Sequence, residues 1–141
     1  MRFFVFLILF STTFSIAFSQ SETGIWRTVD DQTGIDKSIV EIYKSGGKLY
    51  GKVIKIIDTS DGENPLCVNC KGGLKNKPIL GMQIINGLQR KGKEWSGNDG
   101  LFDPETGRAY NGKIWLEDNN TLKVRGYVSF FYRTQTWHRV K

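Results

Sequence analysis

Gly24-Ile25-Trp26 near the start of the chain and Thr136-Trp137-His138-Arg139 near its end are the stretches that decide the fold. A small β-barrel can be closed by pairing its first strand with its last. Its interior can be plugged when the first strand opens with Gly-x-Trp and the last strand carries Trp and Arg. Trp26 would fill the base of that barrel, with the guanidinium group of Arg139 or Arg133 across its ring. Such a stack stabilises by roughly 0.5–2 kcal/mol. The stretches predict structural roles for Gly24, Trp26, Trp137 and Arg139.

Short runs of alternating apolar and polar residues, separated by Gly, Asn and Asp clusters, fill the space between these stretches. The predicted strands are Gly24–Val29, Ser38–Tyr43, Leu49–Ile57, Ile79–Leu88, Glu94–Phe102, Ala109–Glu117, Thr121–Val128 and Tyr132–Val140. Consecutive runs with mostly short turns predict an all-β, eight-stranded antiparallel up-and-down barrel in a single domain, because closure leaves no exposed edge. An open sandwich of the same strands is the alternative.

Alternation along a strand assigns faces to the later runs. In the sixth run, Tyr110 and Ile114 are predicted to point inward and Trp115 outward. In the eighth run, Trp137 shares a face with Arg139, so an inward Trp137 brings a guanidinium group into the barrel end. A buried guanidinium group must be paired or stacked, which favours its contact with Trp26 or a carboxylate.

Residues 1–19 have the pattern of a secretory signal peptide. Arg2 is followed by an apolar run from Phe3 to Phe10 and by the small residues Ala17 and Ser19, which predict cleavage before Gln20. The apolar run is too short for a membrane-spanning helix. The mature protein is therefore expected to be exported, periplasmic or secreted, with no transmembrane span.

Residues 20–141 are expected to form one domain. The whole chain carries a formal charge of +6, which falls to +5 when the signal peptide takes Arg2 with it. The basic residues are interspersed with acidic ones rather than clustered on one element, so nucleic acid is not an expected partner. A basic balance of this size favours solubility and weak association with anionic surfaces.

Cys67-Val68-Asn69-Cys70 lies in the longest segment between predicted strands, Asp58–Lys77. In an exported protein such a pair is expected to form a disulfide, which in so short a loop stabilises by roughly 2 kcal/mol. A haem attachment needs a His where Lys71 stands, and a zinc site needs ligands beyond His138 unless two chains share the metal. Thiol–disulfide exchange would favour a cysteine at a helix N-terminus, whereas glycines follow here.

No catalytic constellation emerges from the other polar residues. The acidic stretch 58–63 does not have the spacing of a calcium loop. His138 is the single histidine and has no evident nucleophile or carboxylate partner in the sequence. The chain is therefore expected not to be an enzyme, to need no cofactor and to hold no metal.

The turn Asp103-Pro104-Glu105-Thr106-Gly107 is the clearest local signal between strands. Pro104 presets φ for the second turn position, and Gly107 can adopt the left-handed conformation that ends the turn. Asp103, Pro104 and Gly107 are therefore predicted to be structural.

Several motifs in order resemble a bacterial family of small exported proteins, the domain-of-unknown-function family numbered 2147. The motifs are Gly24-Ile25-Trp26, Tyr50-Gly51-Lys52-Val53, Asn76–Met82, Trp95–Gly100, Phe102–Tyr110, Leu122–Tyr127 and Thr134–Arg139. The resemblance implies export and a lipocalin-like, calycin-type barrel. The Thr-Asp-Tyr signature of true lipocalins is absent and the chain is short, which leaves the size of any cavity open.

Three functions follow from this interpretation, in order of preference. The first is binding of a small, partly apolar ligand in the barrel, with Tyr50, Trp95, Tyr110 and Ile114 as candidate contacts and the 58–77 segment over the mouth. The second is a cell-envelope interaction module that uses Trp115 and Tyr127 on an anionic polymer or a protein partner. The third is thiol–disulfide exchange at Cys67 and Cys70.

Overall fold

Eight antiparallel strands form a closed barrel in the computed structural model, which describes residues 11–15 and 21–141. Each strand pairs with the next along the chain, and the last pairs with the first. The strands are β1 Gly24–Val29, β2 Asp36–Ser45, β3 Lys48–Ile56, β4 Gln83–Lys91, β5 Glu94–Asp103, β6 Arg108–Asp118, β7 Thr121–Val128 and β8 Phe131–Arg139. The predicted eight-stranded up-and-down barrel is confirmed, and the open sandwich is excluded.

The seam between β1 and β8 closes the barrel. Trp26 lies opposite Arg139 in this pairing, and Arg27 lies opposite His138. Beyond the end of β8, the amide of Ile25 donates to the carbonyl of Lys141 at 2.9 Å. The C-terminal residues therefore lengthen a seam that would otherwise consist of two residue pairs.

β4 begins at Gln83, four residues later than the sequence predicted. The apolar residues before it turn instead of extending the strand: the amide of Ile79 donates to the carbonyl of Pro65 at 3.0 Å. Gly81 follows with φ of +87° and donates to the carbonyl of Val53 at 2.8 Å. The other seven predicted strands agree with the observed bounds to within two residues at each end.

The apolar core has two parts. The larger part fills the barrel interior and contains Trp26, Val40, Ile42, Leu49, Val53, Ile85, Leu88, Trp95, Leu101, Ile114, Leu122, Val124 and Trp137. The smaller part lies beneath the β3–β4 connection and consists of Cys67, Cys70 and Met82, with Ile79 and Phe102 packed against it. The long connection therefore has a small core of its own.

The predicted signal peptide falls mainly outside the described residues, as does its cleavage site before Gln20. Residues 11–15 belong to neither a helix nor a strand. Within the described part of the chain, no helix has the length and apolar character needed to cross a membrane.

Candidate ligand-binding cavity

A cavity of about 620 Å³ opens at one end of the barrel. Its apolar floor is formed by inward-facing residues that also belong to the barrel core: Val53, Ile85, Leu101, Val124 and Trp137. The indole Nε1 of Trp137 donates to Gln135 Oε1 at 2.9 Å, so the ring is held in place from within its own strand. The cavity volume lies within the range of about 300–1,000 Å³ that is usual for small-molecule sites.

Four connections surround the mouth of the cavity, and we call them the rim connections. They are the β1–β2 turn, the β3–β4 segment, the β5–β6 turn and the β7–β8 turn. The first three contribute among others Asp31, Pro65 and Glu105 to the cavity lining, and Phe131 lies directly after the fourth. In an up-and-down barrel every second connection lies at the same end, which brings these segments together.

Lys37 joins three segments of this mouth. From β2, its Nζ lies 2.9 Å from Oδ2 of Asp58 in the β3–β4 segment and 2.8 Å from Oε1 of Glu105 in the β5–β6 turn. The hydrogen bond to Lys37, with a further one from Ser60, lowers the pKa of Asp58 to about 2. The bond to Glu105 in turn raises the pKa of Lys37. The β3–β4 segment is thus held against the barrel by ion pairs as well as by the apolar contacts of its own small core.

Acidification is expected to weaken this tie. Because folding lowers the pKa of Asp58 from 3.8 to about 2, its stabilising contribution is present above about pH 4 and is lost as the pH falls towards 2. The difference in free energy of unfolding between the wild type and Asp58→Asn should therefore shrink over that interval, as measured by urea denaturation. Asp61→Asn, in the same segment, is the control. A wild-type to Asp58→Asn difference that stays constant from pH 5 to pH 2 would contradict this assignment.

Arg133 and Asp31 form a second ion pair across the mouth. Arg133 Nε donates to Oδ2 at 3.0 Å and Nη2 donates to Oδ1 at 2.5 Å, so the pair is bidentate. Such two-pronged charged hydrogen bonds are strong and directional. Arg133 therefore lies at the mouth of the cavity, whereas the sequence had offered it as a second candidate for the Trp26 stack at the base.

Asp103 is a half-buried carboxyl group at the mouth. It ends β5, and its Oδ1 accepts the amide N–H of Glu105 at 2.9 Å, which shapes the β5–β6 turn. Burial raises the pKa of Asp103. Asp103 was predicted to be structural, and it also lines the cavity.

The predicted disulfide between Cys67 and Cys70 is present, with their Cα atoms 5.3 Å apart. Both cysteines are buried, so an attacking thiolate has no direct access to them, and thiol–disulfide exchange is disfavoured. Asn69, between them, donates from Nδ2 to the carbonyl of Glu105 at 2.6 Å. We call residues 65–82, which carry this disulfide, the disulfide lobe; it rests on the β5–β6 turn.

Gly107 makes that contact possible. Its φ is +68°, a conformation that other residues rarely adopt, and a Cβ placed on it would lie 2.0 Å from the carbonyl oxygen of Asn69. Glycine is therefore required at this position both for the turn and for the approach of the disulfide lobe.

The opposite end of the barrel, which we call the closed end, is sealed by Trp26 and Arg139. The guanidinium carbon of Arg139 lies 4.3 Å from the centre of the Trp26 ring, and Trp26 Nε1 donates to the carbonyl of Glu22 at 2.8 Å. Arg139 also donates to the carbonyls of Thr23 at 2.9 Å and Ser21 at 2.5 Å. Burial lowers the pKa of Arg139, and these carbonyl contacts stand in for the water that it loses.

Of the four residues predicted to contact a ligand, Tyr110 lines the cavity. Its hydroxyl lies 3.0 Å from Thr106 Oγ1 at the mouth. Trp95 and Ile114 are buried in the barrel core outside the cavity lining. Lys44 and Arg90 lie over the Trp95 ring at 5.3 and 5.7 Å, and its Nε1 has no hydrogen-bond partner among the described residues.

Tyr50 lies on the outer face of the barrel, so its predicted interior position is wrong. Its neighbours Leu49 and Gly51 are buried and point inward, which places Tyr50 outward by alternation. Its ring stacks on that of Tyr43, with 5.9 Å between the ring centres. The pair covers the outside of the β2–β3 hairpin.

Trp115 and Tyr127 also lie on the outer face, where charged side chains cover part of the aromatic surface. Lys113 Nζ and Arg125 Cζ lie 5.2 and 5.0 Å from the Trp115 ring centre. Arg125 also lies 4.2 Å from the ring centre of Tyr132. Two cations thus lie close to the indole ring that was predicted to contact an anionic polymer or a protein partner.

No group of three or more His, Cys, Asp or Glu side chains suited to hold a metal ion occurs in the described ranges 11–15 and 21–141. The rim carboxylates are instead arranged around Lys37 and Arg133.

A closed eight-stranded barrel with a cavity at one end defines the lipocalin-like class of small β-barrels. The chain is similar to a solved structure of that class, protein HP1028 from the human pathogen Helicobacter pylori, which is described as belonging to the lipocalin family. The two share 19% sequence identity with a TM-score of 0.73, over 87% of this chain and 85% of the other. At this identity, the likeness shows a common fold.

The chain belongs to the family of uncharacterized proteins conserved in bacteria, DUF2147, whose model matches residues 24–139. The family resemblance found in the motifs is thereby confirmed. Among curated proteins, none matches the chain significantly.

Proposed function

We propose that this protein is an exported barrel that binds a small, partly apolar ligand in the cavity at its open end. The observation that carries the proposal is the cavity of about 620 Å³, whose floor is apolar and whose mouth is lined by charged side chains. Small-molecule sites generally combine a mainly apolar lining with a few polar groups that orient the ligand.

The proposed activity is binding without chemical conversion. His138 is the chain's one histidine, and it pairs with Thr121 near the closed end, away from the cavity. At the mouth, Lys37 and Arg133 are held in ion pairs that tie segments of the barrel together. These ion pairs shape the mouth through which a ligand would enter.

Export is the second part of the proposal. It is supported by the signal-like pattern of residues 1–19 and by the disulfide between Cys67 and Cys70. Mass spectrometry of the protein recovered from bacterial periplasm or culture medium would test it. A chain that retains residues 1–19 in the cytoplasm would contradict it.

Filling the cavity is expected to abolish ligand binding without unfolding the barrel. Gly126 lines the cavity, and the nearest atom to a Cβ placed on it is Tyr110 Cβ at 3.8 Å, an ordinary contact. Gly126→Leu therefore projects its side chain into the space that a ligand would occupy. Binding of 1-octanol and of an environment-sensitive apolar dye, measured by calorimetry and fluorescence, should fall at least about tenfold, since each excluded CH₂ forfeits roughly 0.8 kcal/mol of burial.

Gly126→Ala is the matched control, because it adds one carbon and leaves most of the cavity open. Circular dichroism and thermal unfolding establish that both variants retain the barrel. If the wild type binds no apolar probe, or if Gly126→Leu binds as tightly as Gly126→Ala, binding in this cavity is refuted.

A further inference from the structure

The mouth of the cavity carries more negative than positive groups. Of the described residues that line the cavity, six are acidic and two are basic: Asp30, Asp31, Asp58, Asp61, Asp103 and Glu105 against Lys37 and Arg133. A mouth with one sign of charge and low-dielectric walls concentrates ligands of the opposite sign. The charge of the mouth is thus opposite to that of the whole chain, which is +6.

Both basic groups are already engaged. Lys37 lies between two carboxylates, at 2.9 Å from Asp58 and 2.8 Å from Glu105. Arg133 makes its bidentate pair with Asp31, and the charges of Asp30 and Asp103 act on the same guanidinium. The positive charge of each group is thus already balanced by a carboxylate, so the mouth offers no uncompensated positive charge to an anionic ligand.

The carboxylates at the mouth differ in their hydrogen-bond partners and in their surroundings. Asp30 accepts two backbone N–H groups within its own turn, from Gln32 and Thr33 at 2.9 Å each, which lower its pKa and keep it ionised. Asp103 ends β5 as a half-buried residue and lines the cavity next to the apolar residues Leu101 and Phe102. A cation that enters the mouth would meet this carboxylate beside apolar surface.

An apolar path leads from the mouth to the cavity floor. Val128 and Phe131, which flank the β7–β8 turn, line the cavity and are also more than half exposed, and Phe130 within that turn is 95% exposed. Large exposed apolar patches usually mark sites of interaction with ligands or partners. The path continues inward to Trp137 and Leu101.

We propose that the ligand is a cationic amphiphile, whose protonated amine lies against Asp103 and its neighbouring carboxylates while its apolar body packs on Trp137 and Leu101. This inference rests on the proposed function and adds the chemical class of the ligand. A carboxylate-bearing amphiphile of the same length is the ligand that the mouth disfavours.

The test compares three probes with the same tail, octylamine, 1-octanol and octanoate, by calorimetric titration of the full-length mature protein at pH 7 and low salt. Octylamine should bind about tenfold or more tightly than octanol, as expected for a charged hydrogen bond, and octanoate most weakly. At about 1 M salt, where the screening length is about 3 Å, the preference for the amine should shrink.

Asp103→Asn tests whether this carboxylate anchors the amine. Asp118→Asn, at the end of β6 next to the closed end, is the matched control. The ratio of octylamine to octanol affinity should fall severalfold in Asp103→Asn and stay at the wild-type value in Asp118→Asn. The salt dependence of the wild type provides a readout that needs no variant to fold.

The outcomes separate the two proposals. If octanoate binds as well as octylamine, the cationic ligand is refuted and the apolar site stands. If the amine preference survives high salt unchanged, attraction by the mouth carboxylates is refuted as its cause. If the preference is undiminished in folded Asp103→Asn, Asp103 is not the anchor. If none of the three probes binds, the proposed function fails and the ligand class fails with it.

Discussion

Replacing Trp26 by alanine is expected to lower the free energy of unfolding by about 3–5 kcal/mol. The side chain is fully buried at the closed end, where it carries the Arg139 stack and the hydrogen bond to Glu22. Removing the ring leaves a cavity and an unstacked guanidinium group, and the backbone of a closed barrel can collapse only partly around them. Equilibrium denaturation in guanidinium chloride, followed by circular dichroism, measures the loss.

Trp115→Ala is the matched control, because it removes the same side chain from the outer face, where it is only half-buried. Trp115→Ala should lower the free energy of unfolding clearly less than Trp26→Ala does. A double-mutant cycle of Trp26→Ala with Arg139→Ala should return a coupling of roughly 0.5–2 kcal/mol for the stack. If Trp26→Ala costs no more than Trp115→Ala, the closed end does not hold the barrel together in the way described.

Gly107→Ala is expected to lower the free energy of unfolding by about 2–5 kcal/mol, combining backbone strain with overpacking. Its φ of +68° disfavours any side chain, and the new methyl group would lie 2.0 Å from the carbonyl oxygen of Asn69. The disulfide lobe would have to move away from the β5–β6 turn. Denaturation gives the energy, and amide hydrogen exchange over residues 65–82 shows whether the lobe is released.

Gly92→Ala separates the two causes. Gly92 has nearly the same backbone conformation, with φ of +61°, but nothing lies within 4 Å of a Cβ placed on it. Gly92→Ala should therefore lower the free energy of unfolding by the backbone strain alone, about 1–2 kcal/mol. Equal losses in the two variants would show that the lobe does not press on Gly107.

The barrel was predictable because its signals are local. Alternation over five to ten residues and turn residues between the runs identify the strands, and Trp26 and Arg139 identify the two ends of the seam. The sequence predicts an early start for β4 because Ile79 and Leu80 are apolar and follow a strand-like pattern. Both belong instead to the disulfide lobe, where Ile79 packs against the small core and Leu80 is exposed. Tyr50 was misplaced because an aromatic residue in a barrel strand can face either side, and only its buried neighbours decide which.

The mouth of the cavity was harder to predict because its contacts join distant parts of the chain. Lys37 and Asp58 are 21 residues apart, and Arg133 and Asp31 are 102 apart. One signal was nevertheless present in the sequence. The first, third and fifth connections, which an up-and-down barrel places at the same end, each carry or adjoin at least two carboxylates, among them Asp30 and Asp31, Asp58 and Asp61, and Asp103 and Glu105.

The separation of the Trp26–Arg139 stack from the cavity has a consequence for how such proteins diversify. The residues that seal the barrel lie at one end, and three rim turns with one long connection surround the proposed ligand site at the other. Ligand preference can therefore change by exchange of short segments while the seal stays intact. Grafting the β1–β2 and β7–β8 turns of one family member onto another is, on this geometry, a direct route to barrels with new specificity on an unchanged frame.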